Sequence, residues 1–280
     1  MYYTNGHKTI FKMIKKIIHI SDLHIRTFQL HDMYKKQFKL FLADARKQVE
    51  DLDYEEVRVV ITGDIAHQKI NISNEQMLLT SWFFKQIVDN IGKLIIIPGN
   101  HDFLENNHSR VDSITPVVEL LNNPNITYYK DSGVYDDENV KWVVYSLFQH
   151  NQRPDFTKED DGLYVGLFHG PIQGLSTDLG FEFDNAYSPL NFVNLDIVLC
   201  GDIHKRQIFD LPGGGRAFMI GSYVQQNFGE TVNYHGYGIY DVESEEYTTH
   251  DTDNEQPFLN FLISDISDID NNAEILLNIR

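Results

Sequence analysis

An α/β fold with a largely parallel sheet is what this sequence predicts, on three observations. Short apolar runs recur and close on polar turns, most of them containing glycine. Segments with helical spacing separate the first three runs. At 280 residues and 42% hydrophobic content, the chain can bury one large core with at most a small appendage. The runs are KKIIHISDLH (15–24), VRVVITGD (57–64), KLIIIPGNHD (93–102), LYVGLFHG (163–170) and LDIVLCGDIH (195–204). Rich in Ile, Val, Leu and Phe without polar alternation, they read as strands buried on both faces. Between them Tyr34, Phe38, Phe41, Ala45 and Val49 fall at helical spacing, as do Trp82, Phe83, Ile87 and Ile91. Strand, helix, strand implies right-handed crossovers and parallel pairing. Two later segments, 126–148 and 206–222, alternate strand-like runs with Asp, Gly and Asn turns and read as antiparallel β.

Composition narrows the class. Eight Pro and 18 Gly are ordinary values, and no apolar run approaches the length of a membrane span, so a soluble globular protein with no membrane partner is expected. The single cysteine, Cys200, cannot form an internal disulfide, and lysines interrupt the N-terminal run TIFKMIKKIIHI, which therefore does not read as a secretory signal. Both features point to the cytoplasm. Charge is uneven: residues 1–47 hold ten Lys/Arg against three Asp/Glu, and the rest 13 against 38, for a net charge of −18. Such acidity disfavours a polyanion held by general electrostatics. Lys35, Lys36, Lys39, Arg46 and Lys47 offer the one obvious basic face, which also reads as the solvated side of the first helix. Residues 1–12 read as an extension, 13–253 as the main domain, and 254–280 as the start of a small cap element or a tail.

The chemistry lies at the strand ends, because all five apolar runs finish in Asp, His or Asn. Binding groups gather outside the carboxyl ends of strands in α/β sheets, so these turns can converge. Asp22 and His24 stand one residue apart, Asp64 follows Gly63, and Asn100, His101 and Asp102 form GNHD. His169 sits in FHG, and Asp202 and His204 in GDIH. Carboxylate, imidazole and amide oxygen suit Mn, Fe or Zn, and the lack of thiolate argues against a structural zinc site. Singly, each motif is an ordinary turn, cap or core histidine; five in this order are not. Asp22, His24, Asp64, Asn100, His169, Asp202 and His204 exceed what one ion takes from protein, whereas two ions about 4 Å apart would use them all and clamp an in-line displacement at phosphorus.

The series SDLH, GDIAH, GNHD, FHG and GDIH resembles the five-block signature of the calcineurin-like metallophosphoesterases. At finer grain GDIAHQK (63–69), RVDSITP (110–116), FHGPIQG (168–174) and GSYVQQNFGE (221–230) resemble SbcD-type DNA repair nucleases, in the form carried by large phages and DNA viruses. The resemblance implies a sandwich of two mixed β-sheets flanked by helices, and two divalent ions, Mn²⁺ or Mg²⁺. It implies that Asp22, His24 and His204 hold the first ion, that Asp64 bridges, and that Asn100, His169 and position 202 hold the second. His101 would stabilise charge or protonate the leaving oxygen, with Asp102 orienting it, and His67 would lie near the phosphate as donor or proton carrier. The wider family has histidine where Asp202 stands. A carboxylate there favours harder ions over zinc if it is a ligand, a question the sequence leaves open.

The function implied is a metal-dependent DNA nuclease of repair or recombination, with DNA as partner and an SbcC-type coiled-coil ATPase as a further one; a virus-encoded form would work in the host cytoplasm. The alternatives are another phosphatase or nucleotide phosphodiesterase of the superfamily, and a non-catalytic scaffold. GDIAHQ lacks the arginine that follows GDxxD in protein phosphatases and clamps phosphate, and every ligand position is filled, unlike a pseudoenzyme.

Overall fold

The computed structural model describes residues 12–149, 153–159, 162–183, 186–254 and 257–259. In chain order the strands are β1 (Lys16–Ile20), β2 (Val57–Thr62), β3 (Lys93–Ile97), β4 (Ile126–Tyr128), β5 (Gly133–Asp137) and β6 (Val140–Tyr145), followed by β7 (Leu163–His169), β8 (Ile197–Gly201), β9 (Gln207–Asp210), β10 (Arg216–Met219), β11 (Gly236–Asp241) and β12 (Glu246–Asp251). The helices are α1 (His31–Gln48), α2 (Asn74–Asn90) and α3 (Thr115–Leu121). All five apolar runs are strands, and the two stretches with helical spacing are α1 and α2.

They build two mixed six-stranded sheets, ordered β12-β11-β1-β2-β3-β4 and β5-β6-β7-β8-β10-β9. The inner faces meet: Ile17, Val60, Ile95 and Ile97 of the first sheet pack with Trp142, Val144, Val165, Leu167 and Leu199 of the second. On its outer face the first sheet carries Phe38 and Phe41 of α1 and Phe83 and Phe84 of α2, with Phe38 stacked on Phe83 at 3.9 Å between ring centroids. Strands covered on both sides explain the unbroken apolar runs. Lys35, Lys36, Lys39, Arg46 and Lys47 lie exposed on α1, away from the core that Phe38 and Phe41 enter.

Two expectations need correction. Residues 126–148 are antiparallel only in the β5/β6 hairpin: β4 pairs parallel with β3, and β6 pairs parallel with β7. Similarly β9 and β10 form a hairpin, while β10 lies parallel to β8. Turn residues report only the local hairpin; the remaining neighbour of each strand is set by contacts distant in the chain. Helix α3, which starts at the end of the RVDSITP segment, begins where Asp112 accepts from the backbone N–H groups of Ile114 and Thr115, with Pro116 in the first turn. Of the proposed extension, residues 1–11 lie outside the described residues, as do most of 254–280.

A buried ion pair ties the sheets together. Arg58 of β2, 1% exposed, donates bidentately to Asp137 of β5 at 2.6 and 2.7 Å, and Trp142 Nε1 adds a third donor at 3.0 Å. Asp137→Ala strands a guanidinium in the interior and is expected to cost about 3 kcal/mol. Urea unfolding tests this, and a loss under about 1 kcal/mol would show that water reaches Arg58.

His19 of β1 is wholly buried between the Tyr247 hydroxyl and Thr62 Oγ1, each 2.9 Å from a ring nitrogen, and burial pushes its pKa down to about 3. The unfolded chain therefore binds the proton first. The stability contributed by this neutral ring is complete above the ordinary value of 6.5 and drains away as pH falls toward the folded value. Between pH 7 and 5, wild type is expected to lose about 2 kcal/mol more than His19→Gln. Parallel pH–stability curves for the two proteins would contradict it.

Candidate metal centre

The five turns meet at one end of the sandwich because unusual backbone allows it. Asp22 (φ 52°), His24 (45°), Asp64 (53°) and Asp202 (94°) all occupy the left-handed region, which costs non-glycine residues on the order of 1–3 kcal/mol each. Glycines let the turns touch. A Cβ on Gly63 would stand 2.6 Å from Gly99 N and from His169 Nδ1, and one on Gly99 would overlap Asp64 Oδ1. Backbone bonds lock the blocks: Asp22 N–H donates to the Gly63 carbonyl at 3.1 Å, His24 N–H to the Asp64 carbonyl at 2.9 Å, and Asp202 N–H to the Asp22 carboxylate at 3.1 Å.

Within this frame six of the seven expected ligand side chains gather around Asp64, and the seventh, Asn100, directly precedes His101, whose N–H Asp64 holds. Its Oδ2 lies 3.5 Å from His24 Nε2, and its Oδ1 lies 3.3 Å from His169 Nε2 and accepts the His101 N–H at 2.8 Å. On the first side His24 Nε2 and His204 Nε2 face each other at 3.0 Å, with Asp22 Oδ1 3.8 and 3.6 Å away. On the second, Asp202 Oδ1 stands 3.8 Å from His169 Nε2. Asn100 Oδ1 is buried without a hydrogen-bond partner, as is His169 Nε2.

These residues fit divalent ions. Asp22 and Asp64 are buried, Asp202 nearly so, and among the described residues their ion-pair partners are histidines, never Lys or Arg. Three carboxylates gathered in the interior without a Lys or Arg are costly, so the site calls for cations. Burial pushes Asp22 up to about 6 against the pull of His169 and His204. Burial also opposes charge on His169, yet Asp64, Asp22 and Asp202 together lift it well above the ordinary range. In His204 burial is outweighed by Glu230 and Asp22, raising it to about 9.

Outer partners aim the imidazoles. His169 Nδ1 donates to the Thr62 carbonyl at 2.6 Å and His204 Nδ1 to Glu230 Oε1 at 2.7 Å, which leaves both Nε2 atoms facing inward, an arrangement that orients ligands. Glu230 is a functional residue that sequence reasoning missed, although GSYVQQNFGE contains it. Its Oε2 also accepts from the Gln226 N–H at 2.8 Å and the Ser222 hydroxyl at 3.2 Å.

The three remaining candidates lie beside this cluster, and Asp102 has other partners than expected. His101 Nδ1 donates to the His67 carbonyl at 2.8 Å, leaving Nε2 free, and its ring stands 4.9 Å from that of His24. Asp102 does not orient that ring. Its carboxylate accepts the N–H groups of Ile65, Ala66 and Gly99 at 2.8–3.0 Å and so pins the GDIA and GN turns together. Burial and the Asp64 charge push it up to about 8. His67 stacks beside His101 at 5.9 Å, and burial, then Arg26 and His101, lower its pKa to about 4, which favours its neutral, donor form. His24, His67 and His101 also bring nitrogens within 4.8 Å of one another, but the Arg26 guanidinium, 3.0 Å from His67 Nε2, disfavours a further cation there.

The sequence profile of the calcineurin-like phosphoesterases matches residues 15–206, which take in every one of these blocks. This chain belongs to that family. A calcineurin-like phosphoesterase is a hydrolase of phosphoester bonds built on a dinuclear metal centre, and the two sheets and converging turns described above are its frame. The chain is 33% identical over 237 residues to the uncharacterized protein R555 of Acanthamoeba polyphaga mimivirus, an alignment that takes in 81% of this chain and 17% of the viral protein. It thus spans about a sixth of that relative's length. Among solved structures it is similar to TT1561 of Thermus thermophilus, with a TM-score of 0.49 and 10% identity over 86% of this chain and 99% of the other. Another is the nuclease MPE of Pseudomonas putida, with a TM-score of 0.34 and 13% identity over 82% and 85%. Among the described residues no helix is long and apolar enough to cross a membrane.

Proposed function

We propose that this phosphoesterase is a phosphodiesterase that cleaves DNA. One observation carries the two-ion reading: the two oxygens of Asp64 face different histidines, His24 on one side, beside Asp22 and His204, and His169 on the other, beside Asp202. Those residues would hold two divalent ions, Mn²⁺ or Mg²⁺. When bound, the pair supplies Lewis acidity at the phosphoryl oxygens and a nucleophile at neutral pH. The chain's own residues do the rest. Asp22, Asp64 and Asp202 gather the positive charge, Glu230 and Thr62 hold His204 and His169 in register, and His101 presents Nε2 for a proton at the leaving oxygen.

DNA as substrate is supported by the likeness of GDIAHQK to SbcD-type nucleases and by the second histidine, His67, beside His101. The net charge of −18 favours a smaller substrate, which keeps a nucleotide phosphodiesterase as the second reading. Assays in Mn²⁺ on double-stranded DNA, bis-p-nitrophenyl phosphate and p-nitrophenyl phosphate separate the two. Cleavage of DNA and the diester, abolished by EDTA, is expected. Cleavage of the small diester without DNA selects the second reading, and turnover confined to the monoester, or unchanged in chelator, overturns the proposal.

Asp202 decides the metal preference. As a ligand its carboxylate would partly neutralise the second ion, lower its Lewis acidity and make zinc a poorer fit than manganese. Asp202→Ala is expected to weaken one of two binding events selectively in a calorimetric titration. Asp202→His should keep both while broadening tolerance toward Zn²⁺ or Co²⁺. Two unchanged events in the alanine variant would place Asp202 outside the coordination shell.

A further inference from the structure

Arg26 closes the first block, two residues after His24, and its side chain turns toward the second block instead of solvent. Its Nη1 lies 3.0 Å from His67 Nε2, and its Nη2 donates to the Gln226 carbonyl at 3.3 Å. The Tyr34 hydroxyl, which donates to the His24 carbonyl at 2.8 Å, is a further neighbour. A guanidinium has donors only, so in this contact His67 Nε2 must accept, and the ring proton must sit on Nδ1. A doubly protonated His67 would aim one N–H at another across 3.0 Å.

His67 Nδ1 is buried and has no hydrogen-bond partner among the described residues, while its ring packs against His101 at 5.9 Å and edge-on to His24 at 5.4 Å. An unpaired buried donor costs about 1–3 kcal/mol, which a ligand acceptor can return. His101 has the complementary arrangement. Its Nδ1 proton is spent on the His67 carbonyl and its Nε2 is free. Which ring nitrogen carries the proton is set by the bond the other makes, and the two rings are set differently.

We infer that Arg26 is a positioning residue of this centre: by donating to His67 Nε2 it holds His67 as an Nδ1–H donor for a substrate phosphoryl oxygen. This rests on the phosphodiesterase reading. It also gives a role to an arginine beside the GDIAHQ block, which has none of its own.

The test combines tautomer and turnover in the full chain. Long-range ¹H–¹⁵N spectra of histidine-labelled protein with Mg²⁺, assigned through His67→Gln, should show His67 protonated at Nδ1. Arg26→Met should lose that tautomer, and Arg26→Lys, which keeps a charged donor, should retain it. On bis-p-nitrophenyl phosphate, Arg26→Met and His67→Gln should each lower kcat by on the order of 10²-fold, as loss of one preorganised donor does, and the double variant should be no worse than the weaker single. Arg26→Lys should recover most of the loss. An Nε2–H tautomer in the wild type, an unchanged tautomer in Arg26→Met, or losses that multiply in the double variant would each overturn the inference. A wild-type protein inactive on the diester would sink the phosphodiesterase reading instead, while the spectra still decide the hold of Arg26 on His67.

Discussion

Asp64→Asn should reduce phosphodiester turnover by on the order of 10⁴-fold or more while leaving the fold intact. The asparagine keeps an oxygen where Oδ1 accepts the His101 N–H at 2.8 Å, so the turn that carries GNHD keeps its anchor. What disappears is the negative charge shared by the two histidine groups, at 3.5 Å from His24 Nε2 and 3.3 Å from His169 Nε2. Burial opposes ionisation of Asp64, yet His169, His24 and His101 hold it below the ordinary carboxylate range, so the charge is present at any pH where the protein would be assayed. Calorimetric titration with Mn²⁺ should show both binding events weakened, since one carboxylate serves both sides. If a single event weakens, Asp64 belongs to one ion and the bridging geometry is wrong; if turnover survives within tenfold, the centre is not where catalysis occurs. Near-native unfolding by urea would separate either outcome from a collapse of the turns.

His101→Ala comes next in size and differs in kind. Turnover should fall by about 10²- to 10⁴-fold, the usual contribution of a general acid or a charge stabiliser, with both metal affinities unchanged. His101 contacts the centre through its backbone N–H and through ring packing on His24 at 4.9 Å, and its Nδ1 is occupied by the His67 carbonyl. Nε2 is therefore the atom with work left to do. The dependence of kcat on leaving-group basicity gives a second check: diesters with better leaving groups should suffer less from the substitution. A variant that lost one metal would move His101 into the coordination shell, and one that kept full turnover would remove it from the reaction.

Much of this centre is legible in the sequence because α/β topology turns order along the chain into proximity. Strand-forming runs that end in Asp, His or Asn deliver those side chains to one edge wherever the strands lie parallel, and β1, β2, β3, β7 and β8 do. Ligand types, their number and the glycines that let Gly63 and Gly99 approach are local facts about residue identity. The helices over the first sheet were equally legible, since the periodicity of Tyr34, Phe38 and Phe41 is the physical cause of their burial.

What lay beyond the sequence depends on contacts between residues far apart in the chain. The parallel partners of β4, β6 and β10 are chosen by which surface buries the most, and no turn residue announces that. Glu230 acts only because Ser222 and Gln226 fold it back onto His204, 26 positions earlier in the chain. Arg26 acts only because its guanidinium meets an imidazole 41 positions later. The partners of Asp102 were hidden for the same reason. Adjacency in GNHD suggested that Asp102 orients His101, but a carboxylate bonds to whatever donors the fold brings nearest, and those were the N–H groups of Ile65, Ala66 and Gly99. Residue identity and order were enough to say which groups could do chemistry and at which edge they would collect. Which atom of each faces inward was settled by folding, because hydrogen-bond partners are selected by position in space rather than by separation along the chain.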